Sequence, residues 1–216
     1  MCAVATKTFD YGQKELEGLS AVDPVLGDYI SRRGRVERVI IPELFPALVH
    51  AIVGQLISVK AVQTIWNRMQ AAFGDIMPER LAAASADDIQ RCGMTMKKAL
   101  CIHRIATQVA SGEFDLEGLR DLPNAEVTAR MTALPGIGVW TAEMLLMNCL
   151  ERPDILSWGD IAIRRGIMNL YGLPALTKEQ FEQYRLRYSP YGSVASIYLW
   201  EISFKQANGD GADTPN

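Results

Sequence analysis

The chain has 216 residues, with 22 Lys and Arg against 25 Asp and Glu, so its net charge is −3. That balance excludes a protein that grips a polyanion through a broad basic field, but it leaves room for a small footprint of backbone amides and a few cations. No apolar run approaches the roughly 20 residues needed to cross a bilayer, and the opening MCAVATKTFDYG lacks the basic-then-apolar order of a secretion signal.

Taken in order, the residues before Val39 read as short helices and no strand: 16–26 mixes apolar steps with Gly18 and Pro24, and 28–38 is charged. From 42 to 53, Phe45, Leu48, Val49, Ile52 and Val53 recur at the spacing of one helical face, and Gly54 breaks the run. Ser58 is placed to cap a second helix over 59–73, where Val62, Ile65, Trp66 and Met69 repeat the pattern. Between them lies the corner Gly54-Gln55-Leu56-Ile57-Ser58. By itself Leu56 continues the apolar face of the preceding helix and reads as core. Ser85-Ala86-Asp87-Asp88 opens a short helix that stops at Gly93. A longer one over 96–111 carries Leu100, Ile102, Ile105, Ala106 and Val109 and stops at Gly112. A loop follows through Pro123.

Residues 124–133 form a helix opened by an Asn124 cap. Pro135, Gly136 and Gly138 then make a tight turn with both glycines free to take φ > 0, and a further helix runs from Val139. Amides left unpaired at the start of that helix, together with the positive end of its dipole, suit a phosphate oxygen. An ordinary helical corner would use the same residues. Further on, 161–170 reads as a helix ending near Gly172, with Asp160 in its cap position. Thr177 to Gln180 is a capping box for a helix through Tyr188, Pro190 interrupts, and 193–204 is a last apolar helix. The tail ANGDGADTPN reads as disordered. With no strand alternation and no repeat, the fold class is all-α. Cys2, Cys92, Cys101 and Cys149 are widely spaced and there are two histidines, so the thiols read as dispersed and reduced rather than metal-binding.

The hairpin LPGIG at 134–138, followed some twenty residues later by Trp158-Gly159-Asp160, resembles the helix-hairpin-helix DNA glycosylases. Within them it is most similar to the bacterial alkylbase (3-methyladenine) enzymes, over roughly 45–204. The resemblance implies two helical subdomains flanking a cleft, a helix-hairpin-helix motif and no N-terminal β-domain. Its expected boundaries are an N-terminal segment 1–38 packing with the C-terminal subdomain, a subdomain 39–150, a C-terminal subdomain 151–206 carrying the catalytic Asp, and the tail 207–216.

It further implies that Asp160 is the catalytic carboxylate, stabilising positive charge on the sugar and orienting or deprotonating water. The cap role and the catalytic role are compatible. Trp140 stands where family members with lyase activity carry a Schiff-base lysine, which implies a monofunctional enzyme. Trp140, Tyr191 and Met144 would line the base pocket, Trp140 reading otherwise as a core residue. The Gly54-Gln55-Leu56 corner matches a family segment whose Leu wedges into the duplex, with Gln55 approaching the opposite strand or the gap. Gly136, Gly138, Thr141 and Ser58 would contact phosphate, with Lys60, Lys97 and Arg164 adding contacts. The backbone carbonyls of Thr132, Leu134 and Ile137 would hold a structural monovalent cation, sodium or potassium. No cofactor is required, and since no cysteine follows Cys149, no iron–sulfur cluster is expected. The implied partner is double-stranded DNA containing damaged bases, with no membrane and a monomeric state. The implied location is the cytoplasm of a bacterium or the nucleus of a eukaryote. The implied reaction is excision of alkylated purines (3-methyladenine, 7-methylguanine) after base flipping. The competing readings are the same fold acting on a neutral base, uracil or an etheno adduct, and a non-catalytic helix-hairpin-helix DNA-binding protein.

Overall fold

The computed structural model describes residues 4–207, with side chains through Phe204. The tail 207–216 and Cys2 lie outside the described residues, except Ala207, the last residue of the final helix.

Twelve α-helices account for most of the described chain. They are α1 (Gln13–Val22), α2 (Pro24–Arg33), α3 (Leu44–Gly54), α4 (Val59–Phe73), α5 (Pro78–Ala83), α6 (Ala86–Gln90), α7 (Met96–Ala110), α8 (Asn124–Thr132), α9 (Val139–Asn148), α10 (Ile161–Tyr171), α11 (Lys178–Tyr188) and α12 (Gly192–Ala207). Most boundaries fall on the expected caps. Ser58 accepts from the Ala61 amide, Ser85 and Asp88 form a reciprocal capping box, Thr177 and Gln180 form another, and Gly172 closes α10 in the left-handed region.

Four local readings are corrected. Asn124 is not a cap: Pro123 holds that position and makes no side-chain bond, so Asn124 is the first helical residue. Of the two hairpin glycines only Gly136 has positive φ, at 92°, whereas Gly138 sits at −99°. The stretch taken as loop before Pro123 contains a 3₁₀ turn, Glu117–Asp121. Near the N-terminus there is also an antiparallel pair of two-residue strands, β1 (Lys7–Thr8) and β2 (Val39–Ile40), with Lys7 opposite Ile40. Two residues are too few for alternation to register, so only backbone pairing reveals them.

The chain divides into two compact units. One comprises Val39–Glu151 and the segment ending at Thr8, and the other comprises Phe9–Arg38 and the segment from Arg152 onward. In the first unit α3 is apolar apart from the half-buried His50, with Leu44, Phe45, Leu48, Val49, Ile52 and Val53 buried, and α4, α7 and α9 pack around it. In the second, α10 lies directly on α12. A Cβ on Gly166 would come within 2.2 Å of the Leu199 carbonyl oxygen, so no larger residue lets these helices approach. Among the described residues no helix is long and apolar enough to cross a membrane.

Candidate active site and nucleic-acid interface

In the first unit the turn between α8 and α9 closes through Leu134 N–H to the Met131 carbonyl (3.0 Å) and Ile137 N–H to the Leu134 carbonyl (3.1 Å). Helix α9 then starts on Gly138, which has no side chain with which to cap it, and no heavy atom lies within 4 Å of where a Gly138 Cβ would be. Both glycines are exposed. An exposed helix start with no side-chain cap has some of the elements of an anion site. The turn rests on α7: the buried Cys101 thiol donates to the Pro135 carbonyl (3.3 Å), and a Cβ on Gly136 would meet that sulfur at 2.9 Å. Burial raises the Cys101 pKa. Of the three carbonyls expected to hold a cation, that of Leu134 already accepts one hydrogen bond and retains a second lone pair.

The Gly54–Ser58 corner departs most from its bland reading. Leu56 is 95% exposed and sits at φ = 58°, in the left-handed region that non-glycine residues seldom occupy. It is therefore not core. Its neighbours Ile57 and Val59 are exposed as well. Gln55 lies beside it and donates through Nε2 to the Gly136 carbonyl (3.2 Å) and the Thr141 hydroxyl (3.0 Å). In this conformation Gln55 is thus a strut to the hairpin. Thr141, expected to contact phosphate, is only 1% exposed, and its hydroxyl oxygen accepts from Gln55. Lys98 of α7, which nothing in the sequence marks, donates Nζ to the carbonyls of Val53 (2.8 Å) and Gln55 (2.6 Å), and burial lowers the pKa of its ammonium. Ser58 is exposed and its oxygen caps α4; Lys60 and Lys97 are exposed. Trp140 is half-buried rather than core. Met144 is buried, with its sulfur facing the Asn148 amide at 3.7 Å.

In the second unit the extended residues before α10 are stitched to α12. Ser193 and Ser196, three apart and fully buried, bond the backbone of this segment: Ser193 donates to the Arg152 carbonyl (2.5 Å) and accepts from the Ile155 amide (3.1 Å), and Ser196 donates to the Ile155 carbonyl (2.8 Å). Asp154 accepts from the Gly192 amide (3.1 Å) and the Ser189 hydroxyl (2.6 Å). This seam delivers Asp160 to the start of α10, where its Oδ1 accepts from the amides of Ala162 (2.9 Å) and Ile163 (3.0 Å). Asp160 is 7% exposed, and the cap reading holds. Arg164, expected to add a phosphate contact, lies over the Trp158 ring (4.7 Å), which itself packs nearly perpendicular to Phe181. Arg38, missed in the sequence, stacks over Trp200 at 4.3 Å. Burial pulls its basicity down and the Asp160 carboxylate opposes that. Tyr191 is half-buried, its ring edge packed where a Cβ on Gly18 would be, 2.3 Å from Cε2.

Residues 49–190 match the family model of the HhH-GPD superfamily of base excision DNA repair proteins, and the chain belongs to that superfamily. It is 29% identical over 187 residues to DNA-3-methyladenine glycosylase 1 of Schizosaccharomyces pombe, covering 83% of this chain and 79% of the relative. It is 30% identical over 177 residues to the DNA-3-methyladenine glycosylase of Bacillus subtilis, covering 76% of this chain but only 58% of that protein's length. Among solved structures it superposes on the S. pombe 3-methyladenine DNA glycosylase in complex with abasic DNA with a TM-score of 0.81, at 28% identity over 88% of this chain and 96% of the other. The all-α helix-hairpin-helix glycosylase fold read from the sequence is the fold of these proteins.

Proposed function

We infer that the chain is a monofunctional DNA glycosylase of base excision repair, hydrolysing the N-glycosidic bond of alkylated purines in double-stranded DNA and leaving an abasic site. The relatives' names support the class of reaction, and the environment of Asp160 supports the chemistry. Departure of the base leaves positive charge on the deoxyribose, and a carboxylate fixed beside C1′ lowers the energy of that state. Two amides at the positive end of α10 hold Asp160 in one rotamer, so little reorganisation is needed as charge develops. That carboxylate, held by two amides at the start of α10, is the observation on which the reading rests.

The remaining roles follow from chemistry. Trp140 offers an indole and no amine, so the sugar is attacked by water and no lyase step follows. N3- or N7-alkylation makes the base cationic, hence a good leaving group that stacks well on electron-rich rings such as Trp140 and Tyr191. Amides at Gly136 and Gly138 would hold phosphate, and the hairpin carbonyls of Thr132, Leu134 and Ile137 would hold a monovalent cation there. Leu56 would fill the gap left by the everted nucleotide, as its exposure allows. The protein would act as a monomer.

The test is chromatography of the bases released from methylated DNA by the purified protein, beside duplexes each containing one uracil or etheno adduct. Release of 3-methyladenine and 7-methylguanine with intact strands is expected. Release of uracil alone, cleaved strands, or no released base would overturn the reading.

A further inference from the structure

Leu56 poses a physical problem. A residue 95% exposed makes almost no packing contact of its own, and at φ = 58° its backbone is in a conformation that an L residue does not choose freely. Something else must hold it there. The residue before it is anchored at three points. The Gln55 amide closes on Ile52 (3.3 Å), its carbonyl accepts from Lys98 Nζ, and its side chain reaches the Gly136 carbonyl and the Thr141 hydroxyl. Lys98 also takes the Val53 carbonyl, one of the four that the last turn of α3 leaves without an intrahelical partner. The same face of α7, one turn on, supports the hairpin through Cys101 and the Pro135 carbonyl. Lys98 to the corner, Cys101 to the hairpin and Gln55 from corner to hairpin close a triangle.

We propose that Lys98 is a positioning residue for base extrusion: with Gln55 it locks the Gly54–Ser58 corner to the hairpin, so that phosphate binding at Gly136–Gly138 and insertion of Leu56 occur as one rigid event. This rests on the reading of Leu56 as the duplex wedge. Lys98 touches neither base nor sugar in this scheme. It supplies donors to two carbonyls that would otherwise compete with the left-handed turn at Leu56. A freely moving Leu56 would have to be ordered each time it entered the duplex, and the lock removes that cost before DNA arrives.

The experiment is a double-mutant cycle on the full chain. Its variants are Leu56→Ala, Lys98→Met and the two combined, with Gln55→Met as a second break in the triangle that leaves α7 untouched. The readout is the fluorescence of 2-aminopurine placed beside an abasic-site analogue or a lesion, with single-turnover base release and the thermal midpoint alongside. Lys98→Met and Leu56→Ala should each lower the extrusion signal about tenfold, with the double variant no worse than Leu56→Ala alone, because the lock acts only through that side chain. Gln55→Met should act in the same direction and also be silent on the Leu56→Ala background. Full extrusion by Lys98→Met, or losses that multiply in the double variant, would overturn the proposal; if Lys98→Met does not fold, the Gln55→Met pair decides by the same criterion. Unchanged extrusion by Leu56→Ala refutes the wedge and the lock together, whereas base release bears on the glycosylase reading separately.

Discussion

The second unit contains two aspartates that do the same local job in different settings. Asp23 caps α2 and Asp160 caps α10. Each offers Oδ1 to two amides of the following turn, at 3.1 and 3.0 Å for Asp23 and at 2.9 and 3.0 Å for Asp160. They part company in what surrounds the carboxylate. Asp23 is 1% exposed, and its Oδ2 takes the Tyr171 hydroxyl (2.5 Å) and the Arg187 guanidinium (2.8 Å). Tyr171 shares its hydroxyl with Tyr188 at 2.7 Å. Burial pushes the Asp23 carboxyl up, but the bonds from Tyr171, Arg187 and the Leu26 amide outweigh it and hold it below the usual carboxylate range. The same network, burial foremost, drives the Tyr171 and Tyr188 hydroxyls far above their ordinary value. Asp160 is also buried, at 7% exposed, and its carboxylate acts on the buried Arg38 guanidinium, whose basicity it raises against the effect of burial. One cap is committed to the fold. The other is the one proposed to serve the reaction.

The largest effect should come from Asp160→Asn. An amide caps a helix about as well as a carboxylate, so the thermal midpoint should move little, while single-turnover base release falls by about a thousandfold or more and abasic DNA is still bound. Near-full release by this variant would erase the distinction between the two caps. Asp23→Ala is the converse case. It leaves Arg187 and Tyr171 without their shared partner and removes a cap, and should cost about 3–5 kcal/mol in denaturant unfolding, with base release per folded molecule unchanged. A proportionate loss of activity without loss of stability would move Asp23 into the chemistry. The pH dependence sharpens the contrast. The folded-state pKa of Asp23 is depressed, so its stabilising contribution is complete above the unfolded value near 4 and is lost as pH falls through the folded one. The stability gap between the wild type and Asp23→Asn should be flat above about pH 5 and close progressively below it. The smallest effect is expected from Tyr171→Phe, which leaves Arg187 on Asp23 and should cost about 1–2 kcal/mol, seen as a thermal-midpoint drop of a few degrees.

The caps also mark how far reading the sequence could go. Asp160 is legible because the WGD segment follows an LPGIG hairpin at a particular distance, and its cap role is legible from an apolar helix starting at the next residue. Asp23, followed by Pro24, has an equally good local signal, yet its partners Tyr171 and Arg187 lie 148 and 164 residues away. Lys98 is harder still. It is one of two adjacent lysines, and only the return of the Gly54–Ser58 corner onto α7 separates it from Lys97. Leu56 was misleading in isolation, since its apolar side chain extends the pattern of α3 while the backbone turns out of the helix at Gln55.

By itself the sequence determined where most of the longer helices start and stop, the hairpin, and which acidic residue follows it, because caps, glycine turns and 3.6-residue periodicity are decided within a few neighbours. Tertiary structure alone decided that Leu56 stands in solvent, that the Thr141 hydroxyl accepts from Gln55, and that Lys98 rather than Lys97 holds the corner. Each of these depends on groups tens of residues apart meeting at hydrogen-bond distance, and whether a polar group is buried or a leucine exposed is a property of that meeting rather than of any local spacing.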